Sequence, residues 1–340
     1  MSFYFHERND AQIKQFHDSK MVYNSYLESL IAYNISYRYK MVWQKYKDGS
    51  ELLSKVQLGT GKREYLGKRD SKSEKIKEDF EASKSRMKER VKGLKEKLVR
   101  NSKMNKIEGI ARAPKELVAL FSRINELGLD DKLIAIGTNS LYAYEAKCGV
   151  AIEQEHLATR DIDILNRKEK GISFICKELL PSNKAIDFLH SIDDSFLKSS
   201  EASYRFINKD GIWVELINPV SDSVTQENYR DNLFADVIPL AMSGMHWLEN
   251  SRLFKETIIG TDGKSANITT IHPLEFAIYK LWLSKQEDRD YQKHVRDQQQ
   301  SRLVSQLIQE YMPNISIAED CKSLKHLKKE VVDDYVSSLD

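Results

Sequence analysis

The stretch IAIGTNSL at residues 134–141, read together with TRDIDIL at residues 159–165, sets the architecture. The first is an apolar strand that runs into a Gly-Thr turn and then a helix. The second is another apolar strand, and it carries two aspartates one residue apart, Asp161 and Asp163. Side chains on a strand alternate faces, so the two aspartates point the same way while Ile162 and Ile164 point into a core. Two like charges on one strand face repel unless a cation lies between them, and Mg²⁺ bound to a nucleoside triphosphate is such a cation. A third acid is expected on a neighbouring strand. Glu215, in IWVELI at residues 212–217, is placed for it.

The segments around these strands alternate in type. Residues 114–126 predict a helix with Pro114 near its first turn and Gly128 at its end. A helix after the Gly-Thr turn runs to Lys147 and closes at Gly149. A helix near residues 172–180 and a strand near residues 185–189 are expected next. Residues 204–207 and 212–217 flank Asn208-Lys209-Asp210-Gly211, a hairpin signal, and a second hairpin is expected around Thr261-Asp262-Gly263-Lys264. Pro273 opens a helix through Lys285, another spans about 288–311, and a short charged helix covers 323–338. Further upstream, residues 11–47 hold neither Gly nor Pro, and Tyr23, Tyr26, Leu27, Leu30 and Tyr33 share one helical face. Residues 73–98 read as a long amphipathic helix that Asp70, Ser71 or Ser73 could cap. The first hundred residues are therefore expected to be helical.

Composition narrows the classes. The three cysteines, Cys148, Cys176 and Cys321, form no CxxC pair, which argues against a disulfide scaffold or zinc site and fits a reducing cytoplasm. The charged N-terminal residues do not read as a signal peptide, and no stretch approaches the roughly 20 apolar residues of a membrane span. The chain carries a net +2, yet from Gly61 to Arg100 there are 15 Lys/Arg against 8 Asp/Glu, a local excess of +7.

These motifs resemble the nucleotidyltransferase superfamily with a DNA polymerase β-type fold, and more closely a bacterial group of nucleotidyltransferase-like proteins. The likeness runs through residues 61–75, Ala113-Pro114, 136–150, 159–165, VELINP at 214–219 and PLEFAIYKLWLS at 273–284. The Gly-Thr turn is also similar to that of AbiEii-type toxins. The turn is Gly-Thr rather than the commoner Gly-Ser, and the third acid is Glu rather than Asp. The resemblance implies an α+β protein with a small mixed β-sheet core at 111–235, a basic helical region at 1–110 and a mostly helical region at 236–340.

It also implies transfer of an NMP from an NTP to an acceptor hydroxyl. Asp161, Asp163 and Glu215 would be catalytic and would hold Mg²⁺. Gly137 would let the backbone approach the triphosphate, Thr138, Asn139 and Ser140 would supply donors, and Lys280 would contact phosphate. Lys293, Arg296 and Asp297 resemble the Lys…Arg-Asp pattern that follows the core in related proteins. The expected acceptor is RNA, with a tRNA 3′ end as first candidate, held through phosphate attraction by the basic region from Lys62 to Arg100. The rival readings are nucleotidylation of a protein or small molecule, and a non-catalytic module in a defence or toxin–antitoxin system. Gly59-Thr60-Gly61-Lys62 lacks the earlier glycine and preceding strand of a P-loop. His190, Asp193 and Asp194 read as a polar loop.

Overall fold

The computed structural model describes residues 3–167, 180, 182, 184–219, 233, 234, 236–238, 240, 244–287 and 289–339. A two-residue strand, β1 (His6–Glu7), leads into helix α1 (Asp10–Ser36). Asn9 and Gln12 cap that helix reciprocally, each side chain accepting from the other's backbone N–H. Of the expected aromatic face, Tyr23, Tyr26 and Leu27 are buried and Leu30 and Tyr33 half-buried, with Phe16 buried a turn or two earlier.

The helix stops well short of residue 47. Strands β2 (Tyr39–Lys45), β3 (Glu51–Gln57) and β4 (Arg63–Lys68) form an antiparallel three-stranded sheet inside a region expected to be all helix. The turn 57–62, with the Gly59–Gly61 pair, is the β3–β4 hairpin, so GTGK is not a phosphate loop. Helix α2 (Ser71–Ile107) follows, capped by Asp70 in a reciprocal box with Ser73. The sheet packs on the start of α2, where Tyr39 stacks on Phe80 at 5.1 Å. Leu53 and Phe80 are buried there, and Val56 is buried on the sheet's other face; none of the three is part of the main core, whereas Val91, Leu94 and Leu98 of α2 lie against it. The three strands and the first half of α2 thus form an arm with its own small core.

The rest of the chain builds a seven-stranded mixed sheet. Helix α3 (Lys115–Glu126) precedes β5 (Leu133–Ile136), and a 3₁₀ turn, Gly137–Ser140, leads into α4 (Leu141–Cys148), ended by Gly149. Strand β6 (Val150–Ala151) pairs with β1. After the single-turn helix α5 (Gln154–Leu157) comes β7 (Asp161–Asn166), the strand with the two aspartates. The helix expected at 172–180 lies outside the described residues except for Leu180, which is loop. Residues Ala185–His190 are a helix, α6, and not the strand expected there; its buried Ala185, Phe188 and Leu189 recur at helical spacing. Strands β8 (Leu197–Lys198), β9 (Arg205–Ile207) and β10 (Trp213–Ile217) follow, the last two forming the expected hairpin.

Helix α7 (Met245–Asn250) leads to the second hairpin, β11 (Leu253–Ile259) with β12 (Ser265–Ile271). Helices α8 (Pro273–Leu283) and α9 (Tyr291–Tyr311) pack on each other. The final helical stretch is two pieces, α10 (Ile317–Ser323) and α11 (Lys329–Ser337), rather than one. The sheet order is β11-β12-β5-β7-β10-β9-β8, with β7 central between antiparallel β5 and parallel β10. No helix is long and apolar enough to cross a membrane among the described residues.

The arm is joined to this core by a polar knot. Buried Asn105, near the end of α2, accepts from Gln15 and Ser19 of α1 and donates to the carbonyl of Gly263 in the β11–β12 turn. Gly263 presses against α2 so closely that a Cβ there would lie 1.9 Å from the Ser102 carbonyl oxygen.

Candidate active site

Pairing fixes the acids. Strands β7 and β10 run parallel with Asp161 opposite Trp213 and Asp163 opposite Glu215. Residues in register on neighbouring strands share a face, and i, i+2 positions on one strand share it too. Asp161, Asp163 and Glu215 therefore line one side of the sheet, and all three border a cavity of about 410 Å³. Larger clefts exist, one of about 720 Å³ beside α1 and one of about 560 Å³ beside His190; the second is ringed by Glu116, Asp193, Asp194, Asp210 and Asp262, but these come from turns and a helix start and not from neighbouring strands in register. Burial, then the neighbouring Glu215 and Asp161 charges, push the Asp163 carboxyl up to about 7, with Lys280 and Lys293 pulling the other way.

Gly137 makes room for that carboxylate. It adopts φ +69°, and a Cβ at this position would lie 2.8 Å from Asp163 Oδ2. A side chain at residue 137 would both strain the turn and collide with the acid. The preceding loop is pinned as well: Thr159 donates its hydroxyl to Asp161 Oδ1 at 2.6 Å, and Asn139 Nδ2 donates to the Asp161 carbonyl at 2.7 Å.

Two of the expected donors face elsewhere. Asn139 and Ser140 do not border the cavity; Asn139 is spent on the Asp161 backbone, and Ser140 accepts from buried Thr270 at 2.7 Å. Their side chains hold the turn. Gly137 and Thr138 do border it, with Thr138 Oγ1 accepting from Gln300 Nε2 at 3.0 Å.

The opposite wall is cationic, from Lys280, Arg289, Lys293 and Arg296, while Arg205 borders the cavity from the acids' own side, in register with Glu215. Lys280 is buried, not a surface lysine, and donates to Asp297 Oδ1 at 2.6 Å. Arg289 donates to the other oxygen of the same carboxylate at 2.9 Å. One buried acid thereby fixes two cations on the cavity wall, and burial lowers the Lys280 pKa while Asp297 resists. Arg296 donates to the Ala158 carbonyl at 2.7 Å, tying α9 to the loop before β7. Glu215 is paired: Arg205 donates to its Oε1 at 2.7 Å and lies 4.4 Å over the Trp213 ring. Arg205 and Arg289 carried no motif in the sequence; the register of the β9–β10 hairpin and the span of the α8–α9 turn bring them in.

The loop His190, Asp193 and Asp194 is polar and local, with His190 Nε2 bonded to the Phe196 carbonyl and Asp193 to the Ser195 N–H.

A family model described as Nucleotidyltransferase matches residues 115–325. That span is well over half of the 340 residues, and the chain belongs to this family. It covers the main sheet with its acids and the cationic wall, and leaves the arm outside. Comparison with curated proteins and with solved structures gives no match.

Proposed function

We propose that the protein is a Mg²⁺-dependent nucleotidyltransferase that moves an NMP from an NTP to a hydroxyl of RNA. The observation that carries this reading is the β7–β10 register, which puts three carboxylates on one sheet face across a cavity from a wall of Lys and Arg. An all-oxygen donor set of three acids, with no Cys or His among them, suits Mg²⁺. The raised Asp163 pKa fits the same conclusion, since burial first and the neighbouring acids second make its charge costly without a cation beside it. Asp161, Asp163 and Glu215 would hold the ion, which when bound neutralises phosphate charge and orients the triphosphate.

The chain's own groups supply the rest. Lys280 and Arg289, fixed by Asp297, face the triphosphate without needing to reorganise. Lys293 and Arg296 extend that wall. Glu215, held by Arg205 through Oε1, draws the acceptor hydroxyl towards deprotonation; the acceptor oxygen bonds to the α-phosphorus and its proton passes to solvent. The bond from the α-phosphorus to the bridging oxygen breaks, and pyrophosphate departs with that electron pair.

The test is incubation with each α-³²P-labelled NTP, Mg²⁺ and total RNA, using wild type and Asp163→Ala. Label should appear on RNA, and the variant should lose it by about 10³-fold, the size of several kcal/mol of lost electrostatic stabilisation. Mg²⁺-NTP should raise the melting temperature of the wild type and not of the variant. Label on protein, or on small molecules in a lysate, would replace the RNA acceptor. No label and no Mg²⁺-NTP binding would leave a non-catalytic module.

A further inference from the structure

We infer that the outer face of the arm sheet is an RNA-docking surface that grips phosphates and unpaired bases apart from the cavity. Only the identity of the docked RNA as the acceptor rests on the reading above.

Charge in this chain is segregated. Residues 38–107 hold 22 Lys/Arg against 10 Asp/Glu, a net +12, so the remaining residues carry −10 of the overall +2. Ordinary solvated helices balance their charges through i, i+4 pairs. Helix α2 carries 13 Lys and Arg against 6 Asp and Glu, and among the described residues none of the 13 has a carboxylate within 4.0 Å. A folded polyanion is the partner that such a surface fits.

The sheet adds a second kind of contact. One of its faces is covered by α2 through the Tyr39–Phe80 stack and buried Leu53. On the other face, register places Lys40 and Arg63 on either side of Val56, and Gln44, Leu52 and Lys68 in a second row; the central Val56 and Ser54 are buried beneath their neighbours, so the exposed rim of this face is what a partner meets. Tyr65 stands between them beside Ser54, and Tyr46 continues the same face. Lys40, Arg63, Lys68, Tyr46 and Tyr65 are all exposed. Rings among cations accept stacked bases as well as phosphates. Duplex DNA keeps its bases stacked inside, whereas loops and ends of RNA present them, so this mixture favours RNA.

The experiment measures binding of the full chain to a fluorescent unstructured RNA, a hairpin RNA, duplex DNA and phosphatidylserine vesicles over a range of salt. Three proteins are compared: wild type, the arm triple Lys40→Glu/Arg63→Glu/Lys68→Glu, and a control triple Lys322→Glu/Lys325→Glu/Lys329→Glu with the same charge change elsewhere. The arm triple should bind RNA about tenfold or more weakly, with a log–log salt slope shallower by about 2, while the control triple stays within about threefold of wild type. A second arm variant, Tyr46→Ala/Tyr65→Ala, should lose about fivefold or more on unstructured RNA and nothing on duplex DNA. Equal losses in both triples, a tyrosine pair that behaves as wild type, or tighter binding to vesicles than to RNA would each overturn the docking surface. Mg²⁺-NTP binding, read by thermal shift, should be unchanged in every arm variant. RNA that docks on the arm but takes no label leaves the surface standing and removes the RNA acceptor; label with no arm dependence does the reverse.

Discussion

In the main sheet, buried charges come matched. Asp297 holds Lys280 and Arg289, Glu145 takes a two-pronged grip from Arg112, and Glu275 is gripped by Arg252 with His326 on its other oxygen. Asp161, exposed, and half-buried Asp163 have no cation against them among the described residues, and both face the cavity. In the arm the pattern is reversed: cations crowd an exposed helix and sheet face with few acids near them, over a core of a few side chains. Inside the core an unpaired charge is costly and therefore marks chemistry, whereas in solvent it costs little and marks a partner only when it accumulates. The same residue types thus mean different things in the two regions.

Four variants put that contrast to the test. Asp297→Ala leaves Lys280 buried without its partner and should destabilise the protein by about 3–5 kcal/mol, seen as a drop in urea midpoint. Transfer activity should fall too, and a normal midpoint would show that the cationic wall does not depend on this acid. Leu53→Ala opens a cavity in the small arm core, worth about 2–5 kcal/mol locally. Its signature should be faster proteolysis within residues 38–70 with the main thermal transition in place; a single transition shifted as a whole would show that arm and core fold as one.

Gly137→Ala should cost about 1–2 kcal/mol for its left-handed backbone and, by displacing Asp163, a larger share of activity than of stability. Unchanged turnover would mean that the acid tolerates the shift. Gly93→Ala should be the mildest. This glycine sits inside α2, and the methyl group of an alanine there would meet nothing within 4 Å. Alanine should therefore raise stability by about 0.5–1 kcal/mol in a melt, and a loss would reveal a needed bend.

Much of the core could be read from the residues alone. The β5 strand, the Gly-Thr turn, the Gly149 stop and both hairpins have strong local punctuation, and Asp161 with Asp163 follows from strand alternation. The arm sheet was hidden because residues 11–47 lack Gly and Pro, which favours one long helix. Its signal was nonetheless present: Tyr39, Met41 and Trp43 alternate with polar or smaller residues, and Asp48-Gly49 is a hairpin turn. Arg205 escapes a local reading because loop length sets its partner. A four-residue turn at 208–211 pairs residue 207 with 212 and puts Val214 opposite Arg205. The observed loop is one residue longer, pairing Ile207 with Trp213, and this brings Glu215 there instead. Lys280 and Asp297 come together from two helices, a contact that no local pattern encodes.

The uninterrupted run of α2 also has a mechanical meaning. Its 37 residues extend roughly 55 Å, and its root is held at Asn105 by directional hydrogen bonds that do not slide as apolar contacts do. Helix α1 lies along this rod as a splint, with Gln15 on Asn105, Ser29 on Arg90 and Tyr37 on Ser83. Two rods pinned at several points resist bending far more than one, so the arm sheet is carried at a set distance from the core instead of swinging from a single joint.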